Sequence, residues 1–345
     1  MQKKLLAVAM LGAFAGAAFA QSSVTAFGIL DVGVRYVDND SAGSQWTLAT
    51  DGSLQSRLGF RGTEDLGDGL KAGFWLESAV AADTGTANAQ RFWHRRSTVS
   101  LISDSLGELR LGRDNTATYW NLNVFDPFNN NGVGAMTTLF PAAIASQAVQ
   151  TLVRADNLVG YFLPTNLGGL YGQAQYAAGE GNNDNKYAGG RIGYAAGPLD
   201  VAIAYGQTWT NTPERLKTLD AGVSYDFGIV KLFGQYADLK FDQWDRTNYL
   251  LGVTVPVGAA GLVRAAYTYS KFDGPGCAPT LATCDDGNLF ALGYVQNLSK
   301  RKALYTTAAL LDNASNGAIA IPGGPAGIGR GEKSVGVEMG MRHAF

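Results

Sequence analysis

Arginines whose spacing puts them on one side of an extended chain are the residues here best placed to do chemistry. In Arg57-Leu58-Gly59-Phe60-Arg61 the alternation sets Leu58 and Phe60 on one face and Arg57 and Arg61 on the other. Arg154 and Asp156 share a face if Val153, Val159 and Tyr161 occupy the opposite one. Arg95 and Arg96 are adjacent, so strict alternation cannot point both the same way. Further arginines, Arg35, Arg61, Arg191 and Arg264, fall on the polar face of similar segments, with Asp31, Glu77 and Glu338 as acidic companions. Guanidinium keeps its charge at any working pH and offers a planar fork suited to carboxylates and phosphates. Enzyme chemistry finds little here. The chain has two histidines, His94 and His343, and neither lies in a metal-binding H-E-x-x-H pattern. The glycine-rich run Gly327–Ser334 has Glu332 where a phosphate-binding loop needs glycine before its lysine, and it reads as external loop. No cofactor is expected.

The elements that carry these arginines alternate with period two. In Val24–Tyr36, Val24, Ala26, Gly28, Leu30, Val32, Val34 and Tyr36 form an apolar face opposite Thr25, Asp31 and Arg35, the mark of a strand with one apolar side. The pattern recurs about sixteen times, and includes Leu54–Thr63, Leu70–Val80, Arg91–Ile102, Glu108–Gly112, Leu152–Phe162 and a final Lys333–Phe345. Connections alternate between tight turns and longer loops, the latter including Phe241–Asp245, so that every long loop falls on one rim. Strands of ~10–12 residues tilted by ~40° rise about 25–30 Å, the height of a membrane's apolar band. The fold class is all-β: a transmembrane antiparallel β-barrel.

One stretch breaks the pattern. Asp114–Arg154 is too long for an ordinary connection and is apolar for a loop, with Leu122, Val124, Phe125, Phe128, Leu139, Phe140 and Ile144. Such residues are expected to fold against protein, and a wide cylinder offers its inside. Asp126 is the expected counter-charge on this loop.

Composition agrees with a barrel. Charged residues make up 16% of the 345 and glycine accounts for 45, which disfavours helix. A net charge of −2 gives no basis for nucleic-acid binding. Residues 1–20 read as a signal peptide: Lys3-Lys4, an apolar centre Leu5–Phe14, and Ala18-Phe19-Ala20 for cleavage, leaving 21–345 as the barrel domain. Cys277 and Cys284 are expected to close one loop with a disulfide in an oxidising compartment.

Several motifs together resemble the Gram-negative general porins. They are Ser23–Gly28 with Asp31, Ser56–Gly67, Leu111-Gly112-Arg113, Asp126-Pro127-Phe128, Arg154–Asn157 and the ending Arg342–Phe345. The resemblance spans the mature chain. It implies a homotrimer of sixteen-stranded barrels in the outer membrane, embedded in lipid and lipopolysaccharide. It implies that the third external loop folds inward, that small hydrophilic solutes diffuse through, and that the barrel-insertion machinery reads Phe345. The family pattern of an arginine followed two on by a small residue favours Arg95 with Ser97. Arg57, Arg95 and Arg154 then resemble the basic ladder facing the inward loop, with Asp126 opposite. Many relatives place carboxylates on that loop opposite basic wall residues, and the sparse acidity here departs from their cation-preferring pattern; arginines at the constriction make an anion-preferring porin the expectation. A substrate-specific channel for a dicarboxylate or phosphate is the alternative, and saturable conductance would mark it.

Overall fold

A computed structural model describes residues 23–87, 91–140, 143–144, 147–148, 151–181, 186–274 and 285–345. The expected signal peptide and both cysteines lie outside the described residues.

One antiparallel sheet holds 18 strands, and two of these, Ser44–Thr50 and Thr86–Ala87, are short pieces inside loops. The sixteen that remain form the wall. They are β1 (Ser23–Asp38), β2 (Arg57–Gly67), β3 (Leu70–Ala81), β4 (Arg96–Ser103), β5 (Gly107–Asn115) and β6 (Arg154–Phe162). Next come β7 (Leu170–Ala177), β8 (Tyr187–Ala196), β9 (Leu199–Trp209), β10 (Arg215–Asp226) and β11 (Lys231–Phe241). The last five are β12 (Trp244–Val257), β13 (Gly261–Asp273), β14 (Gly287–Asn297), β15 (Lys302–Asn313) and β16 (Lys333–Ala344). Each strand pairs with its neighbour in sequence, and β1 pairs with β16 from Ile29↔Ala344 to Asp38↔Val335, which closes the cylinder. Closure leaves no sheet edge exposed, as a membrane interior requires.

The two faces of the wall differ as the alternation requires. Val99, Leu101, Leu109, Leu111, Val159 and Ile192 are exposed, whereas Thr98, Arg110, Leu158, Asp220, Gln235 and Glu338 are buried. A continuous exposed apolar belt over a polar inside inverts a soluble protein and suits lipid. Tyr161, Tyr194 and Tyr225 are exposed at the short-turn ends of β6, β8 and β10, where an interfacial aromatic girdle belongs.

Several boundaries differ from the sequence reading, two of them for a visible local reason. The strand expected at Leu54 begins at Arg57, because Ser44–Thr50 folds back and takes the edge of β1 from Val32 to Asp38. The strand expected from Arg91 begins at Arg96. The expected long loop Phe241–Asp245 is a two-residue turn, since Phe241 pairs with Trp244 and Asp242 takes φ 54°, a conformation aspartate tolerates.

Candidate functional site

Between β5 and β6 lies the long segment anticipated above. Thr116 caps its helix α1 (Ala117–Val124) by accepting from the Tyr119 backbone N–H at 3.4 Å. The segment packs against wall residues that alternate with exposed ones. Phe125 covers Gly222, and Pro127 covers Gly252, at positions where a Cβ would overlap the ring. Their neighbours Val223 and Leu251 are exposed. Glycine at these two points is what lets the rings approach the backbone.

Polar contacts pin the same segment. Arg191 Nε donates to Asn121 Oδ1 at 2.7 Å, and the Asn121 amide donates to the Asp220 carboxylate. Val133 N–H donates to Glu338 Oε1 at 3.1 Å, while Arg35 grips Glu338 Oε2 through Nε and Nη2 at 3.0 and 2.8 Å. The Arg264 guanidinium lies 4.6 Å from the Phe128 ring centroid. Arg35, Arg191 and Arg264 therefore serve as struts between wall and loop. Sequence reasoning missed that the last external loop joins them. Ile319 and Ile321 are buried with Phe128, Val133 and Leu139 in one apolar cluster, and the apolar Ile319-Ala320-Ile321 run was the available signal.

Two acidic residues nominated from the sequence are held by backbone donors. Asp126 lies within electrostatic reach of Arg264. Its carboxylate is buried and accepts from the backbone N–H groups of Phe128 at 2.8 Å, Asn130 at 3.0 Å and Met136 at 3.3 Å, so it braces the loop's turn. Burial raises its pKa despite those donors. Asp31 is likewise enclosed. It accepts from the N–H groups of Ser53 at 2.9 Å and Leu54 at 2.8 Å and from the Tyr305 hydroxyl at 2.6 Å, and so ties down the first loop.

Two of the arginines nominated from the sequence, Arg57 and Arg95, meet at one carboxylate. Glu77 pairs with Arg57 at 3.6 Å and with Arg95, and it accepts from Trp75 Nε1 at 2.9 Å. Arg95 also donates to Gln55. Arg154 is buried, and its guanidinium lies within electrostatic reach of Arg95, Arg113, Glu77 and, on α1, Tyr119. Among the described residues Arg154 has no ion pair, and its Nε has no hydrogen-bond partner.

Strand parity proved a partial guide. Arg96 shares the face of Thr98, with Nε donating to Thr98 Oγ1 at 3.0 Å and the guanidinium 4.6 Å from the Trp75 centroid. Ser97 takes the side of exposed Val99, so the expected Arg95/Ser97 pairing of faces is overturned. Arg95 nonetheless reaches Glu77 because it precedes the strand, where alternation no longer binds it. Arg154 and Asp156 do not act together either. A bulge between Ala155 and Leu158, with Asn157 at φ 53°, breaks the alternation, and Asp156 pairs with Arg113 at 2.7 Å and with Arg91. His94 stands among these cations. Burial, then Arg154, Arg113, Arg95 and Arg91, lower its pKa to about 4, so it is neutral at pH 7.

A family model described as Gram-negative porin matches residues 7–316. The chain is a Gram-negative porin. Outer membrane porin protein 32 of Delftia acidovorans is 40% identical over 363 residues and aligns along 100% of both chains. An outer membrane porin protein of Bordetella pertussis is 31% identical over 413 residues, again along 100% of both. Among solved structures, an anion-selective porin from Comamonas acidovorans superposes with TM-score 0.82 at 40% identity, covering 94% of this chain and 100% of that one. This porin is thus an outer-membrane channel protein built on a closed sixteen-stranded barrel.

Proposed function

We propose that this porin passes small hydrophilic solutes by diffusion and prefers anions, with the stretch Thr116–Phe140 between β5 and β6 folded into the barrel to narrow it. The observation that carries the reading is the basic cluster. Arg57 and Arg95 pair with the Glu77 carboxylate, and Arg154, without an ion pair among the described residues, lies within electrostatic reach of them, which leaves the group positively charged where Tyr119 of α1 approaches it. In a passage only several Å wide, a Debye length of ~8 Å lets such charges act on every ion that passes. Fixed arginines then favour anions and raise the barrier to cations. The contacts of Phe125, Pro127, Asn121 and Val133 with the wall residues Gly222, Gly252, Asp220 and Glu338 support the inward fold of the loop. The name of the 40%-identical solved relative points the same way for selectivity.

A homotrimer is the assembly proposed for the family's barrel here, to be read from the mass of the detergent-solubilised protein before and after boiling. The channel itself is tested by single-channel recording in salts whose ions differ in bulk. Conductance should fall when chloride is replaced by a bulky anion and hold when potassium is replaced by a bulky cation. The opposite pattern rejects anion preference, and an absence of discrete steps rejects the channel.

A further inference from the structure

One patch of the inner wall lies beside Glu77 and extends toward the tight turn between β2 and β3. Phe27 shares the face of Asp31 on β1, and its ring lies across Gly59, between Arg57 and Arg61 on β2. Trp75 stands beside it, with ring centroids 5.0 Å apart at 61°, an edge-to-face pair. The Arg61 guanidinium sits 5.2 Å from the Phe27 centroid and 5.0 Å from that of Trp75. Arg96 covers Trp75 from the next strand and meets Asp114 at 3.8 Å on its far side. Arg61 is exposed and makes no ion pair among the described residues. Phe27, Trp75 and Arg96 are half-buried. Glu77, two residues along β3 from Trp75, is already engaged by Arg57, Arg95 and the Trp75 indole.

Two aromatic rings are interleaved here with guanidinium groups, and one of those, Arg61, has no ion pair among the described residues. Aromatic faces hold cations, here Arg61 and Arg96, and aromatic edges accept a further ring. The N–H edges of Arg61 stay available to a carboxylate, which the guanidinium fork matches. We propose that Phe27, Trp75, Arg61 and Arg96 form a subsite for aromatic carboxylates, on which the solute's ring extends the Phe27–Trp75 pair while its carboxylate meets Arg61. The inference rests on the anion-passing reading above for how the solute arrives. Its consequence is a preference within the anions for planar aromatic acids.

Benzoate, cyclohexanecarboxylate and acetate are the probes, each titrated against chloride current through the reconstituted wild-type porin. Benzoate is expected to reduce the current saturably at a concentration at least fivefold lower than cyclohexanecarboxylate, with acetate showing no saturation. Phe27→Leu should bring benzoate and cyclohexanecarboxylate together while leaving chloride conductance unchanged, and Arg61→Gln should weaken both at least threefold. Equal action of the two ring acids on wild type, or an unaltered difference in Phe27→Leu, overturns the proposal. If Phe27→Leu does not insert, saturation-transfer NMR on the detergent-solubilised wild type decides. Transfer to benzoate protons that exceeds transfer to cyclohexanecarboxylate supports the subsite, and equal or no transfer overturns it. A wild type that prefers potassium over chloride would instead defeat the anion reading, and the NMR arm would still report on the subsite.

Discussion

Replacing Arg154 by alanine removes one positive charge without stranding a carboxylate, since Arg154 has no ion pair among the described residues. A unit charge about 5 Å from a passing ion contributes roughly 0.8 kcal/mol at the dielectric of water. It acts with opposite sign on anion and cation, so their permeabilities separate by roughly 1.6 kcal/mol before screening. With a Debye length of ~10 Å in 0.1 M salt, about 1 kcal/mol survives, a change of roughly fivefold in the anion-to-cation ratio. The assay is the zero-current potential across a planar bilayer separating two KCl concentrations. Arg154→Ala should lower the ratio about fivefold, Arg154→Lys should nearly preserve it, and all three proteins should give discrete steps. An unchanged ratio in Arg154→Ala, or an equal loss in Arg154→Lys, would refute the argument that charge at this point sets selectivity.

Glu77→Gln removes the one carboxylate shared by Arg57 and Arg95 and should raise anion preference by a similar factor; a fall would mean that Glu77 mainly positions the arginines. Asp126→Ala strips the acceptor from three backbone N–H groups, at a cost of roughly 1–3 kcal/mol for each donor left buried. It should increase conductance or current noise with little change in ion preference, and a clear shift in selectivity would mark Asp126 as a pore charge. Gly222→Val should displace Phe125 and widen the conductance distribution, whereas an unaltered channel would place α1 elsewhere. His94 is neutral from pH 8 down to about pH 5.5 and adds no charge to the cluster there. Anion preference should rise near pH 4 as the imidazole takes a proton, and His94→Gln should remove that part of the rise.

The barrel could be read from the sequence because a membrane wall imposes period two on every strand. Lipid rewards Val99, Leu101, Leu109 and Leu111 on one side, and water or protein takes Thr98 and Arg110 on the other. The cluster was legible only in part, because parity ends where pairing ends. Arg95 escapes it by preceding β4, and Asp156 escapes it through a bulge that has no period-two signature. Asp126 illustrates a different limit. Composition shows that an acidic residue lies on the loop, but the backbone N–H groups that enclose it exist only once the turn has formed. The role of Ile319 and Ile321 was hidden for the same reason, since their partners Phe128 and Val133 are nearly 200 residues away in sequence.

The most direct test is the zero-current potential of the wild-type porin itself under a tenfold KCl gradient at neutral pH. The positive cluster around Glu77 predicts the sign set by chloride crossing faster than potassium. A potential of the opposite sign, with potassium crossing faster, would contradict it.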